Sequence, residues 1–271
     1  MIAQTCLPAK WVIVSDGSTD GTDDIVKNYL QTYPWIELVR TPERKERNFA
    51  GKVLAFNAGY EKVKNLSYDI IGNLDADLSF EKDYFEFLLA KFAQNPELGV
   101  AGTPFLEDGK HYDFRFASTD HVSGACQLFR KKCFEEVGGY VPIKGGGIDW
   151  TAVTTARMRG WTTRTYIEKT CNHHRKIGTG DNHLLMSSFK YGQKNYFLGS
   201  HPLWHVSRCL FQMKSKPYII GGIFLLSGYI WAFISRMERP ISKELMTFYR
   251  TEQMQRLRTI VRKALRLPSE Q

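Results

Sequence analysis

The stretch NLDADL, residues 73–78, decides the fold that this sequence predicts. A largely apolar segment, residues 68–72, leads into it, so the stretch is predicted to end a buried strand. Side chains two residues apart lie on the same side of an extended chain, which brings Asp75 and Asp77 together. Neighbouring carboxylates repel each other unless one is protonated or a cation lies between them. The pattern therefore indicates either a site for Mg²⁺ or Mn²⁺ that leaves positions for phosphate oxygens, or a solvated Asp-rich turn.

Strand and helix patterns alternate on both sides of this stretch. Short apolar runs predict strands at 11–14, 35–39, 100–103 and 123–129. Helical spacing of apolar residues predicts helices at 23–33, 51–63, 84–92, 131–137 and 151–159. In the second of these helices, Leu54 is expected on the inner face. The alternation favours an α/β fold with a Rossmann-like, mostly parallel sheet flanked by helices, and such sheets bind ligands at the carboxyl ends of their strands.

The composition indicates a folded chain with anionic partners. The 271 residues are 43% hydrophobic, which excludes an intrinsically disordered chain. Their net charge of +9 favours anionic partners, such as nucleotide phosphates or lipid head groups. The basic residues are not gathered into one helix and no nucleic-acid-binding motif is present, so we expect no nucleic-acid partner. The five cysteines include no Cys-x-x-Cys pair, which favours a reducing compartment over a disulfide framework.

Three short segments stand out beside the predicted strands and helices: VSDGSTDGT at 14–22, Gly51-Lys52 with the Asn-Ala-Gly of 57–59, and LDAD at 74–77. Together they resemble the corresponding segments of family-2 glycosyltransferases of the GT-A fold. The resemblance covers roughly residues 1–170. It implies a nucleotide-sugar donor, a Mg²⁺ or Mn²⁺ ion held by Asp75 and Asp77, and transfer of the sugar to a hydroxyl group.

The same resemblance implies donor-binding roles for residues around the first strand and the second helix. Asp16 and Ser18 would contact the nucleoside, and Asp75 would lie against the donor. The alternative for Asp16 is a role in the turn, and Asp20 is interpreted as a cap of the helix that follows. Lys52 would reach a donor phosphate, and the alternative is a solvated lysine on the helix surface.

Asp149 is the residue to which the resemblance assigns the role of catalytic base. The family carries an acidic pair at this position, and here Ile148 replaces the first acid while the Asp remains. An inverting transfer needs one carboxylate that takes the proton of the acceptor hydroxyl. The leaving diphosphate needs no acid, because the metal ion stabilises its charge. The alternative is that Asp149 only caps the following helix.

Two adjacent histidines follow a predicted strand at 164–167. Neighbouring side chains of a strand point to opposite faces, so one of His173 and His174 can serve the site. Related enzymes often place a histidine near the metal or the phosphates, and we expect His174 to be the metal ligand. Arg175 is expected to steady the diphosphate. The alternative is a group of surface basic residues.

The C-terminal part differs in character, so the predicted domains are a GT-A domain at 1–200 and a membrane-associating helical region at 201–271. Residues 218–234 are almost wholly apolar and could span the membrane, lie in its plane, or form a core helix. From residue 242 onward, apolar residues recur at helical spacing among arginines. This pattern indicates a helix on an anionic membrane surface, or one packed on the domain. Because nucleotide sugars are cytosolic, we expect the cytoplasmic face of the cell membrane.

The sequence thus predicts a metal-dependent, inverting glycosyltransferase of the hexosyltransferase type. Its expected acceptor is a lipid-linked glycan in polysaccharide or cell-envelope assembly. One alternative is a catalytically impaired relative that binds nucleotide sugars, and another is a nucleotidyltransferase, which also uses paired carboxylates and a metal ion.

The first residues carry a separate expectation. Family-2 enzymes open with a strand and a helix before the Asp-Gly-Ser strand, and residues 1–6 are too few to form them. We therefore expect an N-terminally shortened chain, whose first strand has an unpaired edge.

Overall fold

The computed structural model describes residues 1–44, 48–107, 118–174 and 184–265. The chain forms two compact units, Met1–Arg175 and Lys176–Gln271. This boundary lies before the predicted one at residue 200, because the segment before that residue folds as a helix of the second unit.

The strands of the first unit are β1 (Trp11–Asp16), β2 (Ile36–Thr41), β3 (Ile70–Leu74), β4 (Leu78–Ser79), β5 (Leu98–Gly102), β6 (Phe105–Leu106), β7 (Cys126–Arg130), β8 (Thr162–Thr165) and β9 (Cys171–His173). Its helices are α1 (Thr22–Leu30), α2 (Ala50–Val63), α3 (Tyr84–Gln94), α4 (Lys131–Val137) and α5 (Ile148–Met158). The predicted order of strands and helices is confirmed, and α4 has the predicted bounds.

The strands form three small sheets instead of one mostly parallel sheet. β1 and β2 form a parallel pair, the order β3-β7-β5-β8 forms a mixed sheet, and β4-β9-β6 forms a third. β7 is antiparallel to both of its neighbours, and β5 and β8 are parallel. The prediction of a mostly parallel sheet is wrong for the four-stranded sheet. β7 begins beside the last residue of β3, with Cys126 opposite Leu74, and runs back along β3 in the opposite direction.

The edges of β1 and β3 are open within the described ranges. There β1 pairs with β2 alone, and β3 pairs with β7 alone.

Helix α2 packs on β1 with one side and on aromatic rings of α4 and the loop after it with the other. Gly59 lies against β1 so closely that an added Cβ would be 3.0 Å from Val14 Cγ2. On the other side, the Phe56 ring lies 5.6 Å from that of Phe134 and 4.9 Å from that of Tyr140. This packing places the start of α2 beside the carboxyl end of β3.

The core of the first unit lies between α3 and the mixed sheet. Tyr84, Leu88 and Phe92 of α3 are buried against residues of β5 and β7. The buried Tyr84 hydroxyl lies 2.8 Å from Thr103 Oγ1, so its polar end has a hydrogen-bond partner. Helix α3 therefore covers one face of the mixed sheet with buried side chains.

The second unit consists of helices: α6 (Leu184–Phe197), α7 (Pro202–Gln212), α8 (Ile219–Ile234) and α9 (Lys243–Ala264). Helices α6 and α8 approach closely at glycines, since a Cβ on Gly192 would lie 2.1 Å from the Leu225 carbonyl oxygen. Gly228 makes the same kind of contact with Phe189. Within the described part of the chain, no helix combines the length and apolarity needed to cross a membrane.

Helix α9 begins at the predicted place and packs on its own unit through its first half. The Ser242 hydroxyl caps the helix by accepting a hydrogen bond from Leu245 N at 3.1 Å. Leu245 and Gln253 are buried, and Gln253 Nε2 donates to Ser200 Oγ at 2.9 Å. Ile260, Val261 and Leu265 at the other end are exposed. The packed alternative therefore holds for the first half of the helix.

Candidate active site

Asp75 follows β3 directly and belongs to a network of charged and polar groups. Its amide N–H donates to the Ala125 carbonyl at 2.9 Å, which extends the pairing of β3 with β7 by one residue. Its carboxylate Oδ1 lies 2.5 Å from Lys52 Nζ, so the two side chains form an ion pair. Burial raises the pKa of the Asp75 carboxyl, and the Lys52 ammonium opposes that rise. A nearby positive charge therefore stabilises the ionised form of the Asp75 carboxyl group.

Lys52 is held inside the site and does not extend from the helix surface as a solvated lysine. Besides its ion pair with Asp75, its Nζ donates to the Gly124 carbonyl oxygen at 2.7 Å. Asn73 Nδ2 donates to the same oxygen at 2.9 Å. The structure thus brings the predicted Lys52 and Asp75 together at the carboxyl end of β3.

Asp149 lies on the other side of the Gly124 backbone. The Gly124 N–H donates to Asp149 Oδ2 at 3.2 Å, and His121 Nε2 lies 3.8 Å from the same oxygen. Helix α5 starts at Ile148, earlier than predicted, with Gly147 at its N-cap and φ of 89°. Asp149 is therefore in the first turn, so the alternative of a plain N-cap does not hold.

Gly124 consequently connects the candidate base to the Asp75 and Lys52 pair. Its N–H contacts Asp149 and its carbonyl contacts Lys52, so a single residue separates the two groups. His121 also approaches Asp149, and sequence reasoning found neither residue. A glycine and a histidine in an irregular segment carry no periodic pattern that would mark them as site residues.

The carboxylate of Asp77 is approached by the His173 side chain, and not by the side chain of the expected His174. The His173 Nε2 atom lies 3.5 Å from Asp77 Oδ1, and the His173 side chain is only 7% exposed. His174 instead places its Nε2 2.8 Å from Ser79 Oγ. The reason is the pairing of β9 with β4, in which successive side chains alternate between the two faces.

Asp16 is the last residue of β1, and Ser18 lies in the turn that follows it. Thr41 Oγ1 donates to Asp16 Oδ1 at 2.8 Å, and Arg44 forms an ion pair with the other carboxylate oxygen. The Ser18 carbonyl accepts a hydrogen bond from Arg40 at 3.1 Å. A Cβ on Gly51 would lie 3.3 Å from Arg44 Cζ, so Arg44 also touches the start of α2. The start of α2 therefore connects the Asp16 turn to the Asp75 network.

Asp20 precedes Gly21, the N-cap of α1, and stabilises the turn before the helix, so it does not cap the helix itself. Its Oδ1 accepts from Thr22 N at 3.2 Å and from Thr22 Oγ1 at 2.6 Å. These hydrogen bonds lower the pKa of the Asp20 carboxyl. The predicted Arg175 lies outside the described residues.

The side chains of the described residues bring together only part of a metal site. In the ranges that the structure describes, no cluster of three or more His, Cys, Asp or Glu residues is arranged to hold a metal ion. Asp77 and His173 nevertheless bring a carboxylate oxygen and a ring nitrogen to within 3.5 Å of each other. Mg²⁺ and Mn²⁺ are commonly bound by one or two protein carboxylates together with substrate phosphates. The pair therefore fits a cation that a donor diphosphate helps to hold.

Comparison with known families and curated proteins gives matches over the first half of the chain. The model of the family described as Glycosyl transferase family 2 matches residues 1–141. The poly-beta-1,6-N-acetyl-D-glucosamine synthase of Staphylococcus epidermidis is 27% identical over 147 residues, 47% of this chain and 34% of that protein. The Staphylococcus aureus synthase is 28% identical over the same shares. The chain thus spans about a third of the length of these relatives.

Solved structures with a similar fold cover nearly the whole chain. The mannosyltransferase PcManGT from Pyrobaculum calidifontis, in complex with GDP-Man and Mn²⁺, matches 96% of this chain and 80% of its own, with a TM-score of 0.54 and 18% identity. GalNAc-T7 with UDP, GalNAc and Mn²⁺ matches 97% of this chain and 53% of its own, with a TM-score of 0.57 and 13% identity. The predicted GT-A fold is confirmed.

Proposed function

The chain belongs to glycosyl transferase family 2, and from that premise we propose a metal-dependent, inverting transfer of a sugar from a nucleotide-diphosphate sugar to a hydroxyl acceptor. The observation that carries this proposal is the position of Gly124, whose N–H contacts Asp149 and whose carbonyl contacts Lys52. An inverting transfer requires a base next to the donor's reacting carbon. The Gly124 backbone holds Asp149 close to the donor-binding group, as that reaction requires.

The donor is proposed to lie along the start of α2. Asp16 and Ser18 receive the nucleoside, because a carboxylate at a strand end accepts hydrogen bonds from a base or a ribose hydroxyl. Lys52 lies at the same helix start and pairs with Asp75 at the end of β3, where the diphosphate would follow the ribose. Both solved neighbours are complexes with Mn²⁺ and a nucleotide or nucleotide sugar, which supports this class of donor.

Asp77 and His173 are the residues that would hold Mg²⁺ or Mn²⁺, with Asp75 beside them. The raised pKa of Asp75 supports a cation there, because a partly buried carboxylate is stabilised by added positive charge. When bound, the ion stabilises the negative charge of the diphosphate leaving group. Lys52 adds a second positive charge on the same side.

Asp149 is proposed to act as the general base. Its carboxylate takes the proton of the acceptor hydroxyl as that oxygen bonds to the anomeric carbon and the bond from that carbon to the diphosphate oxygen breaks. The Gly124 N–H holds one carboxylate oxygen, so the orientation of the group is fixed before the acceptor binds. His121 lies at the same oxygen and borders the proposed acceptor position.

The acceptor is proposed to be a lipid-linked glycan, with the second unit on the anionic cytoplasmic face of the cell membrane. Helix α8 buries one face, while Ile219, Ile223, Ile230 and Ile234 expose another at helical spacing. A helix that is apolar on all sides requires an apolar environment on its exposed face as well. Lys214, Lys216 and Arg236 flank the helix and favour anionic head groups.

Product analysis with a panel of nucleotide sugars tests the reaction type. UDP-sugars and GDP-mannose are incubated with the protein and Mn²⁺, with EDTA and with Asp149→Asn as the matched variant. Metal-dependent release of nucleoside diphosphate by the wild-type protein supports glycosyl transfer. Formation of nucleoside triphosphate from added pyrophosphate would instead indicate a nucleotidyltransferase. Binding of donor without any product would indicate the impaired relative and would contradict the proposal.

A further inference from the structure

His173 lies between two carboxylates, one at each ring nitrogen. Its Nε2 is 3.5 Å from Asp77 Oδ1, and its Nδ1 is 3.3 Å from Glu107 Oε1. A neutral imidazole carries a proton on one nitrogen and a lone pair on the other. If Nδ1, which faces Glu107, carries the proton, then Nε2 presents a lone pair to Asp77. If Nδ1 is unprotonated, then Nε2 presents an N–H instead.

The three-stranded sheet brings these residues together. Strand β9, which ends with His173, pairs with β4 on one side and with β6 on the other. Asp77 directly precedes β4, and its carbonyl accepts a hydrogen bond from His174 N at 2.9 Å. Glu107 directly follows β6, where Leu106 is paired with Asn172. Strand pairing on both sides therefore fixes the relative places of Asp77, His173 and Glu107.

The imidazole has little freedom and lacks an aligned partner for Nδ1. The Phe105 ring centroid lies 5.4 Å from that of His173, and the His173 side chain is 93% buried. Among the described residues, its Nδ1 has no partner with hydrogen-bond geometry. A buried ring N–H without an acceptor is costly, and the Glu107 oxygen lies close enough to accept after a small side-chain adjustment.

We propose that Glu107 is a positioning residue for His173. By accepting a hydrogen bond from Nδ1–H, it keeps the proton on that nitrogen and directs the Nε2 lone pair toward Asp77. Histidines that bind metal ions generally donate their second ring N–H to a carboxylate or carbonyl in this way. The proposal deepens the proposed function, on which it rests, because it assigns Glu107 to the support of the cation beside the donor diphosphate.

The test compares Glu107→Gln with Glu61→Gln, a substitution at an exposed α2 position where the Glu61 carboxylate pairs with Lys64. Mn²⁺ affinity is measured by electron paramagnetic resonance and calorimetry, with Mn²⁺ alone and with UDP or GDP. We expect Glu107→Gln to weaken Mn²⁺ binding about 10- to 100-fold, the usual effect of losing such a partner. Glu61→Gln should bind as the wild type does, and unchanged thermal unfolding of both variants excludes misfolding.

A second readout is independent of the metal. Two-bond ¹H–¹⁵N spectra of the imidazole report which nitrogen carries the proton. The wild type should show His173 protonated on Nδ1, and Glu107→Gln should change that distribution. A wild-type proton on Nε2, or Mn²⁺ binding by Glu107→Gln equal to that of Glu61→Gln, would overturn the inference.

Asp77→Asn separates this inference from the proposed metal site. If Asp77→Asn abolishes Mn²⁺ binding while Glu107→Gln keeps it, the metal site stands and the role of Glu107 is refuted. If Asp77→Asn binds Mn²⁺ as the wild type does, the metal site itself is refuted, and the tautomer spectra still decide whether Glu107 orients His173.

Discussion

At the scale of single residues, Gly124 connects the charged side chains of the site through its own backbone. Its N–H donates to Asp149, and its carbonyl accepts from Lys52 and Asn73. A side chain at this position would meet Asp149, since an added Cβ would lie 2.8 Å from Asp149 Cβ and 3.3 Å from Oδ2. The absence of a side chain is therefore what allows the base to approach this backbone.

Gly124→Ala should displace the Asp149 carboxylate while Lys52 and Asp75 stay paired. Because a misplacement of about 1 Å can cost about 10²-fold in rate, we expect transfer to fall by that order. Donor affinity in the presence of Mn²⁺ should stay within a few-fold of the wild-type value. The measurement is the transfer rate at saturating donor together with donor binding by calorimetry.

Gly72→Ala is the matched control, because its added Cβ would meet only the end of the flexible Leu128 side chain, at 2.7 Å. Equal transfer rates for the two alanine variants would contradict the positioning role of Gly124.

The motifs predicted three acidic site residues, but they did not predict the contacts of those residues. Asp75, Asp77 and Asp149 were predicted because metal binding and removal of a hydroxyl proton both call for carboxylates. The sequence favoured His174, but the His173 side chain faces Asp77, since alternation along a strand gives opposite faces without saying which face is which. That choice depends on the register of β9 against β4, which forms between distant segments.

At the scale of elements, local sequence patterns predicted the positions of the helices along the chain better than they predicted which side of each helix is buried. The glycine stop of α4 was readable, and Gly138 takes the left-handed conformation with φ of 78°. Leu54 of α2, however, is 53% exposed, and its neighbour Val53 is buried. The contact of Gly59 with β1 sets the rotation of this helix, and a weak apolar pattern in α2 could not reveal it. Strand direction was missed for a similar reason, because a buried apolar run is equally suited to parallel and antiparallel pairing.

Helices α7 and α8 meet at a buried histidine that should make the second unit sensitive to acid. His205 stacks on Tyr229 with ring centroids 4.3 Å apart, and burial lowers its pKa to about 4. The unfolded chain has the ordinary histidine pKa near 6.5 and binds a proton first as the pH falls. The stabilisation is therefore complete above about pH 6.5 and is lost as the pH falls toward 4.

We expect the free energy of unfolding of the wild type to decrease by about 3 kcal/mol more than that of His205→Gln between pH 7 and pH 4. Urea unfolding followed by circular dichroism at several pH values measures the difference. Parallel pH curves for the two proteins would show that His205 does not titrate as a buried neutral group.

At the scale of the whole molecule, the net positive charge and the exposed apolar surface of α8 both suit the anionic membrane surface proposed for the second unit. The chain carries a net charge of +9, and helix α8 exposes four isoleucines along one face. The sequence predicted an apolar helix here, but its buried and exposed faces depend on the glycine contacts with α6. Only the folded unit could therefore show which isoleucines remain available to a partner.

Ile223→Asp combined with Ile230→Asp should strongly reduce binding to vesicles that contain anionic lipid. A charge on the face of α8 that is proposed to contact the membrane would be costly in the apolar region, whereas the basic flanks would still give a weaker, salt-sensitive attraction. Flotation with anionic and with neutral vesicles measures the binding. The control is Ile25→Asp with Ile167→Asp, two exposed isoleucines of the first unit. Equal losses in both double variants would rule out α8 as the binding face.

The central claim is that Asp149 serves as the base of glycosyl transfer beside a donor held by the Asp75 network. Single-turnover transfer by the wild type and by Asp149→Asn, with donor affinity measured in parallel, tests it most directly. We expect donor affinity to change by no more than a few-fold and transfer to fall by at least about 10²-fold, the usual scale for a general base. A variant that transfers at nearly the wild-type rate would contradict the claim.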